Sequence, residues 1–212
     1  MFFNMAEQAV KSGSLNDLKH CYDESIPRSG FFIIPKSWAI LAAGEGQREI
    51  FEWMMKQPQE WYPPPPLHLG TNEPDGILYA AARGRHPDMV KWLLSLGFLD
   101  HRAGWIAARN GEREIVEMMI PYVYWDELIG DAARGNQNDL ITWLFTIPHE
   151  ECYRSLEGYP CDRDEVARGT LGVAAKGATK ETFLRLEAYY GPQKLKKVRD
   201  PELARYLQGV LS

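Results

Sequence analysis

Histidine, cysteine and clustered carboxylates are the side chains that most often move protons, attack carbon or hold metals. This chain spaces them poorly for any of those tasks. Its five histidines, His20, His68, His86, His101 and His149, are scattered singly along the sequence, and each reads as a surface or hydrogen-bonded structural residue rather than a general base. No G-x-S-x-G, H-E-x-x-H, Walker or G-x-G-x-x-G pattern occurs. The densest metal-capable group is His149, Glu150, Glu151, Cys152, Cys161, Asp162 and Asp164. It lacks the short C-x-x-C or H-x-x-x-H pairs that preorganise zinc, and its carboxylates lack calcium-loop periodicity. The expectation is no metal, no cofactor and no catalytic residue, with Cys152 and Cys161 near enough along the chain to approach one another on oxidation.

Positive charge and aromatic rings are arranged more informatively. Six pairs of small residues, Ala9-Val10, Ala42-Ala43, Ala81-Ala82, Ala107-Ala108, Ala132-Ala133 and Ala174-Ala175, are followed directly by Lys11, Gly44, Arg83, Arg109, Arg134 and Lys176. Five of the six positions therefore carry a cation, and equivalent positions in a stacked array form a line. Two roles suit a cation there. It can oppose a helix dipole, at roughly 0.3 to 1 kcal/mol each, or it can meet a partner. Trp38, Tyr79 and Trp105 lie shortly before their small pairs. Because Trp, Tyr and Arg carry a disproportionate share of interface energy, Tyr79, Arg83, Trp105, Arg109 and Arg134 form the candidate partner-binding set. Trp53, Trp92 and Trp143 recur at one equivalent position further on and read as packing residues between neighbouring helices.

The elements that must position these residues are repeats. The small pairs recur at intervals of 33, 39, 26, 25 and 42 residues, an average of 33. In the clearest copy, 107–119, Ala107-Ala108 lets two helices approach closely, Gly111 ends the first helix, and Glu112 to Glu114 place negative charge at the start of the second. Ile115, Val116 and Met119 then form an apolar face. It recurs as Ile50, Phe51 and Met54, as Met89, Val90 and Leu93, and as Leu140, Ile141 and Leu144. Each unit is a helix, a tight turn and a second helix whose apolar side needs a neighbouring unit to cover it.

The pattern resembles the ankyrin repeat family, whose A-A-x-x-G-x-x-E-I-V-x-x-L-L segment is matched closely at 107–119, nearly as closely at 42–54, and recognisably at 81–94 and 132–145. In the last two, Gly84 and Gly135 fall one position early, leaving Arg85 and Asn136 at the family's glycine position. Asn tolerates a left-handed backbone, whereas Arg there is a departure. The family's T-P-L-H opening is absent from every unit, and intervals of 25 and 26 residues leave little room for its projecting hairpins. The resemblance implies an all-α, ankyrin-like α-solenoid of about six helix-turn-helix units, spanning 4–26, 36–57, 75–99, 101–123, 126–147 and 168–190 in a single repeat domain. Insertions are expected at 58–74, with its four successive prolines, and at 148–167, and a capping helix at 200–211.

The resemblance also implies a non-enzymatic protein-protein interaction module or scaffold, with the end of each first helix on the concave side. Tyr79, Arg83, Trp105, Arg109 and Arg134 would then line a groove holding a protein partner, and the cations suit an acidic segment of it. The alternative is a small cofactor-independent enzyme using that groove as a substrate pocket, and a small-molecule ligand ranks below a protein one. Composition bounds the rest. The 212 residues are 45% hydrophobic, with 24 basic against 29 acidic residues for a net charge of −5, which disfavours disorder and generic nucleic-acid binding. The unpaired cysteine count, a start without signal-peptide character and no apolar run of membrane length point to a reducing cytoplasmic setting, with the nucleus as the other compartment, and to no membrane partner.

Overall fold

A computed structural model describes residues 2–29, 33–59, 61, 76–147, 170–172, 174 and 178–190. The insertion 148–167, most of 58–74, Cys152, Cys161, Lys176 and the expected capping helix 200–211 lie outside the described residues. The chain divides into two compact units, Met1–Ala103 and Gly104–Ser212. Among the described residues the architecture is all-α, with an isolated bridge between Ile34 and Gln59 as the only β pairing.

In the first unit the helices are α1 (Phe2–Ser12), α2 (Leu15–Ser29), α3 (Lys36–Gly44), α4 (Arg48–Met55), α5 (Ile77–Arg83) and α6 (Pro87–Ser95). They alternate as first and second helices of successive pairs. Helix α3 packs against α1, α4 and α5, and the alanines explain how: Ala42, Ala43, Ala81 and Ala82 are completely buried, so backbones approach without side-chain bulk. On the second helices the apolar faces close over this layer. Ile50, Phe51 and Met54 of α4, and Met89, Val90 and Leu93 of α6, are all buried. Phe51 sits edge-on to Trp61, Trp92 and Phe98 at 5.1, 5.5 and 6.0 Å between ring centres. The indole of Trp61 donates to the Ile34 carbonyl at 3.2 Å, tying the start of the 58–74 segment to the chain entering α3. Cys21 is buried in α2, where burial and then the nearby Asp17 carboxylate push its thiol pKa up.

Helix α7 (His101–Asn110) begins at the end of the first unit, and the second unit continues with α8 (Arg113–Met119), a 3-10 turn (Ile120–Tyr122), α9 (Trp125–Arg134), α10 (Asn138–Leu144) and a helix over Lys180–Tyr190. The construction repeats. Ala107, Ala108, Ala132 and Ala133 are buried, as are Ile115, Val116, Met119, Leu140, Ile141 and Leu144.

The early glycines have a physical cause. Gly84 and Gly135 adopt ordinary right-handed backbone, φ −73° and −84°. They are not there for conformational freedom. A Cβ on Gly84 would collide with the Gly44 carbonyl oxygen, and one on Gly135 with that of Arg109. The left-handed conformation passes to the next residue, Arg85 at φ 64° and Asn136 at φ 55°. Asn136 uses its position: its Oδ1 accepts the Thr179 N–H at 2.7 Å, anchoring the approach to the last described helix.

The recurring tryptophans pack between second helices, and each of two is capped by a cation. The Arg48 guanidinium lies 4.9 Å over the Trp92 ring, and that of Arg113 lies 4.4 Å over Trp143. Both arginines open their own second helix. Trp53 instead meets Tyr22 edge-on at 5.4 Å. Arg113→Ala is expected to cost about 0.5 to 1 kcal/mol, and a double-mutant cycle with Trp143→Leu, read by urea unfolding, should assign that loss to the pair. Additive effects in the cycle would refute the contact.

Candidate functional site

The second unit concentrates the candidate residues. Trp105 and Arg109 lie one turn apart on α7, and Glu127, Asp131 and Arg134 follow the same face of α9. Two polar contacts join the helices. The Trp105 indole N–H donates to Glu127 Oε2 at 2.9 Å. One turn on, Arg109 donates through Nε to Asp131 Oδ1 at 3.1 Å and through Nη2 to the same oxygen. Arg134 adds a third bond to that oxygen, from Nη1 at 3.1 Å. The Asp131 side chain is 5% exposed, whereas those of Arg109 and Arg134 are 48% and 45% exposed. One buried carboxylate thus gathers two half-exposed guanidiniums, leaving a local excess of one positive charge. Gln137 fixes the backbone beneath them by donating to the Arg109 carbonyl at 3.0 Å.

In the first unit Tyr79 and Arg83 lie one turn apart on α5. Tyr79 is half-buried beneath the Arg102 guanidinium, 5.1 Å from its ring centre. Arg102 is itself held by buried Asp100, through Nε at 3.1 Å and Nη2 at 3.0 Å. That hydrogen-bonded carboxylate raises the Arg102 pKa against the desolvation that lowers it. Arg83 is exposed, and its side chain makes no hydrogen bond or ion pair among the described residues. The five candidates therefore fall into two sets, each within its own unit: Trp105, Arg109 and Arg134 in one, Tyr79 and Arg83 in the other.

Comparing the two helix-pair interfaces isolates what is special about the second. Segment 36–55 aligns with 101–120, and 76–95 with 127–146. Shared architecture follows this alignment. His86 and Gln137 are equivalent, and they reach back to the equivalent carbonyls of Gly44, at 3.1 Å, and Arg109. The Arg48–Trp92 and Arg113–Trp143 stacks are equivalent, as are the close approaches at Gly84 and Gly135. The polar contacts differ. Where the second interface has Arg109 and Asp131, the first has Gly44 and Ala80, so small that a Cβ on Gly44 would meet that of Ala80 at an ordinary 3.6 Å. Where the second has Trp105 and Glu127, the first has Ile40 and Gly76, with a Gly76 Cβ 3.5 Å from Ile40. Arg83 corresponds to Arg134 and has no carboxylate to hold. The first interface stacks without the Arg109–Asp131 and Trp105–Glu127 contacts.

Compared with known proteins, the chain matches no protein-family description and no curated protein. Solved structures do match. The crystal structure of the human ASB11 ankyrin repeat domain aligns over 91% of this chain and 86% of that one, with a TM-score of 0.56 and 14% sequence identity. The fold is that of an ankyrin repeat domain. At this identity the likeness carries the ankyrin architecture alone. Within it, Glu127 and Asp131 are the functional candidates that motif reading passed over. Aligning the two helix pairs would have exposed them, as acids standing where the first pair has Gly76 and Ala80.

Proposed function

We propose that this chain is a protein-interaction module, without catalysis of its own, that takes an acidic segment of a protein partner on its first-helix face. Trp105, Arg109 and Arg134 form the principal contact in the second unit, and Tyr79 and Arg83 a separate contact in the first. One observation carries the reading. A buried carboxylate with two half-exposed arginines occupies a position where the same molecule stacks an equivalent interface with Gly44 and Ala80. Burying a charge is costly, and replacing a buried ion pair by apolar residues is often neutral or stabilising. Its retention here fits a task outside folding. The likeness to an ankyrin fold supports a binding role, and the concave face is where that fold presents its first helices. No observation among the described residues favours the enzyme reading.

The test is capture from native lysate with two baits, the wild-type chain and the triple variant Arg109→Ala, Asp131→Ala, Arg134→Ala, which removes the site without stranding Asp131. Proteins retained by wild type at low salt, released as salt rises, and absent from the triple variant are the expected result. Equal recovery on both baits would contradict the assignment.

A further inference from the structure

We propose that the paired arginines of the second unit receive a phosphorylated side chain, a phosphoserine or phosphothreonine, carried by the partner segment. This rests on the interaction reading above and names the chemistry of its ligand. Arg109 donates to Asp131 Oδ1 through Nε and Nη2, and Arg134 donates to the same oxygen through Nη1. The bonding nitrogens of the two side chains therefore lie within two hydrogen-bond lengths of one another. Guanidiniums that close repel each other unless an anion stands between them. The Asp131 carboxylate, 5% exposed beneath side chains that are 48% and 45% exposed, supplies that anion from the inner side. Among the described residues, Arg109 Nη1 and Arg134 Nε and Nη2 have no partner. The outer side of the pair thus offers one ligand donors from two guanidiniums. With Gln137 fixing the Arg109 carbonyl, these donors are positioned before a ligand arrives, which lowers the ordering cost of binding.

Acceptor number and charge both favour a phosphate monoester. It presents three strong acceptor oxygens and a charge of about −1.5 to −2, against two oxygens and a single charge for a carboxylate. Those oxygens can take bonds from both guanidiniums at once, the forked recognition that arginine performs and lysine does not. Coulomb attraction to the two cations grows in proportion to the ligand's charge. Repulsion from Asp131 grows in the same proportion and stays smaller, because one buried carboxylate is set behind two nearer guanidiniums. The surrounding surface favours a peptide as the carrier. Trp105, one turn before Arg109 on α7 and half-buried, gives the residues flanking the phosphate a ring to rest on, its N–H being held by Glu127. A net charge of −5 disfavours approach to an anionic lipid surface.

The experiment titrates the full chain with acetyl-Gly-Ala-phosphoserine-Leu-Gly-amide, following the peptide's phosphorus signal and the Trp105 indole N–H by NMR. Comparison peptides carry serine or glutamate in place of phosphoserine. Inorganic phosphate is a further probe, as are phosphatidylcholine vesicles bearing a phosphatidylinositol monophosphate, assayed by co-sedimentation. The phosphopeptide should move both signals and bind at least about tenfold more tightly than the glutamate peptide or inorganic phosphate, and the vesicles should not sediment the chain. Arg109→Lys with Arg134→Lys keeps both charges beside Asp131 and loses the forks, so the preference for phosphoserine over glutamate should largely disappear. The triple Arg109→Ala, Asp131→Ala, Arg134→Ala chain should bind none of the probes. A glutamate peptide that binds as tightly as the phosphopeptide, or a lysine variant that keeps the full preference, overturns the phosphate inference and leaves the interaction site standing. Inorganic phosphate or vesicles bound as well as the phosphopeptide overturn the peptide as carrier. Absence of binding by every probe, or unchanged binding by the triple variant, overturns this inference and the site assignment together.

Discussion

Gly135→Ala is expected to destabilise the protein by about 3 kcal/mol, a large effect for adding one methyl group. Its sign is opposite to what local structure suggests. Gly135 has a backbone conformation that alanine adopts readily, φ −84°, and glycine-to-alanine changes at such positions ordinarily stabilise by about 0.4 to 1 kcal/mol through the unfolded chain. The new Cβ, however, would overlap the Arg109 carbonyl oxygen and crowd its carbonyl carbon at 2.7 Å. Those are backbone atoms, and the same oxygen already accepts the Gln137 amide, so relief requires α7 and α9 to separate. Gly44→Ala is the matched control. Its Cβ meets Ala80 at contact distance, and equilibrium unfolding should find it neutral or slightly stabilised. Equal stability of Gly135→Ala and Gly44→Ala would show that the close approach is not a constraint.

The second large effect is the removal of both arginines. Arg109→Ala with Arg134→Ala removes both cations from the Asp131 carboxylate, which is 5% exposed beneath them, and stranding a buried charge in this way costs up to about 3 to 5 kcal/mol. Adding Asp131→Ala to that variant should recover most of the loss in equilibrium urea unfolding, because the charge responsible is gone. A triple variant as unstable as the double would assign the damage to lost packing by the arginine stems instead. The consequence for binding studies is practical. Neutralising the arginines alone confounds recognition with unfolding, whereas the triple variant separates them.

Much of this was legible in the sequence, for reasons that differ between residues. The alanine pairs and the apolar faces at Ile50, Phe51 and Met54 or at Ile115, Val116 and Met119 obey helical spacing, and the all-α repeat architecture follows from them. The cations after the small pairs were equally visible. Their partners were not. Asp131 lies 22 residues beyond Arg109, and no local rule pairs positions that far apart; only stacking one helix on the next brings them together. The same holds for Trp105 with Glu127 and for Arg113 with Trp143. The line of equivalent cations also proved uneven in character. Arg109 and Arg134 are tied to a buried acid, while Arg83, at the position equivalent to Arg134, stands exposed. At Gly84 and Gly135 the displaced glycine looked like an imperfect copy of a turn signal. It is a steric requirement imposed by the neighbouring repeat, with Arg85 and Asn136 taking over the left-handed conformation.

The central claim is that the Arg109–Asp131 pair serves recognition and not the stacking of α7 on α9. Urea unfolding of Arg109→Ala with Asp131→Ala, which installs the small, uncharged contact used by Gly44 and Ala80, tests it most directly. The account predicts a stability within about 1 kcal/mol of wild type. A loss of about 3 kcal/mol or more would show that the pair holds the repeats together and would contradict it.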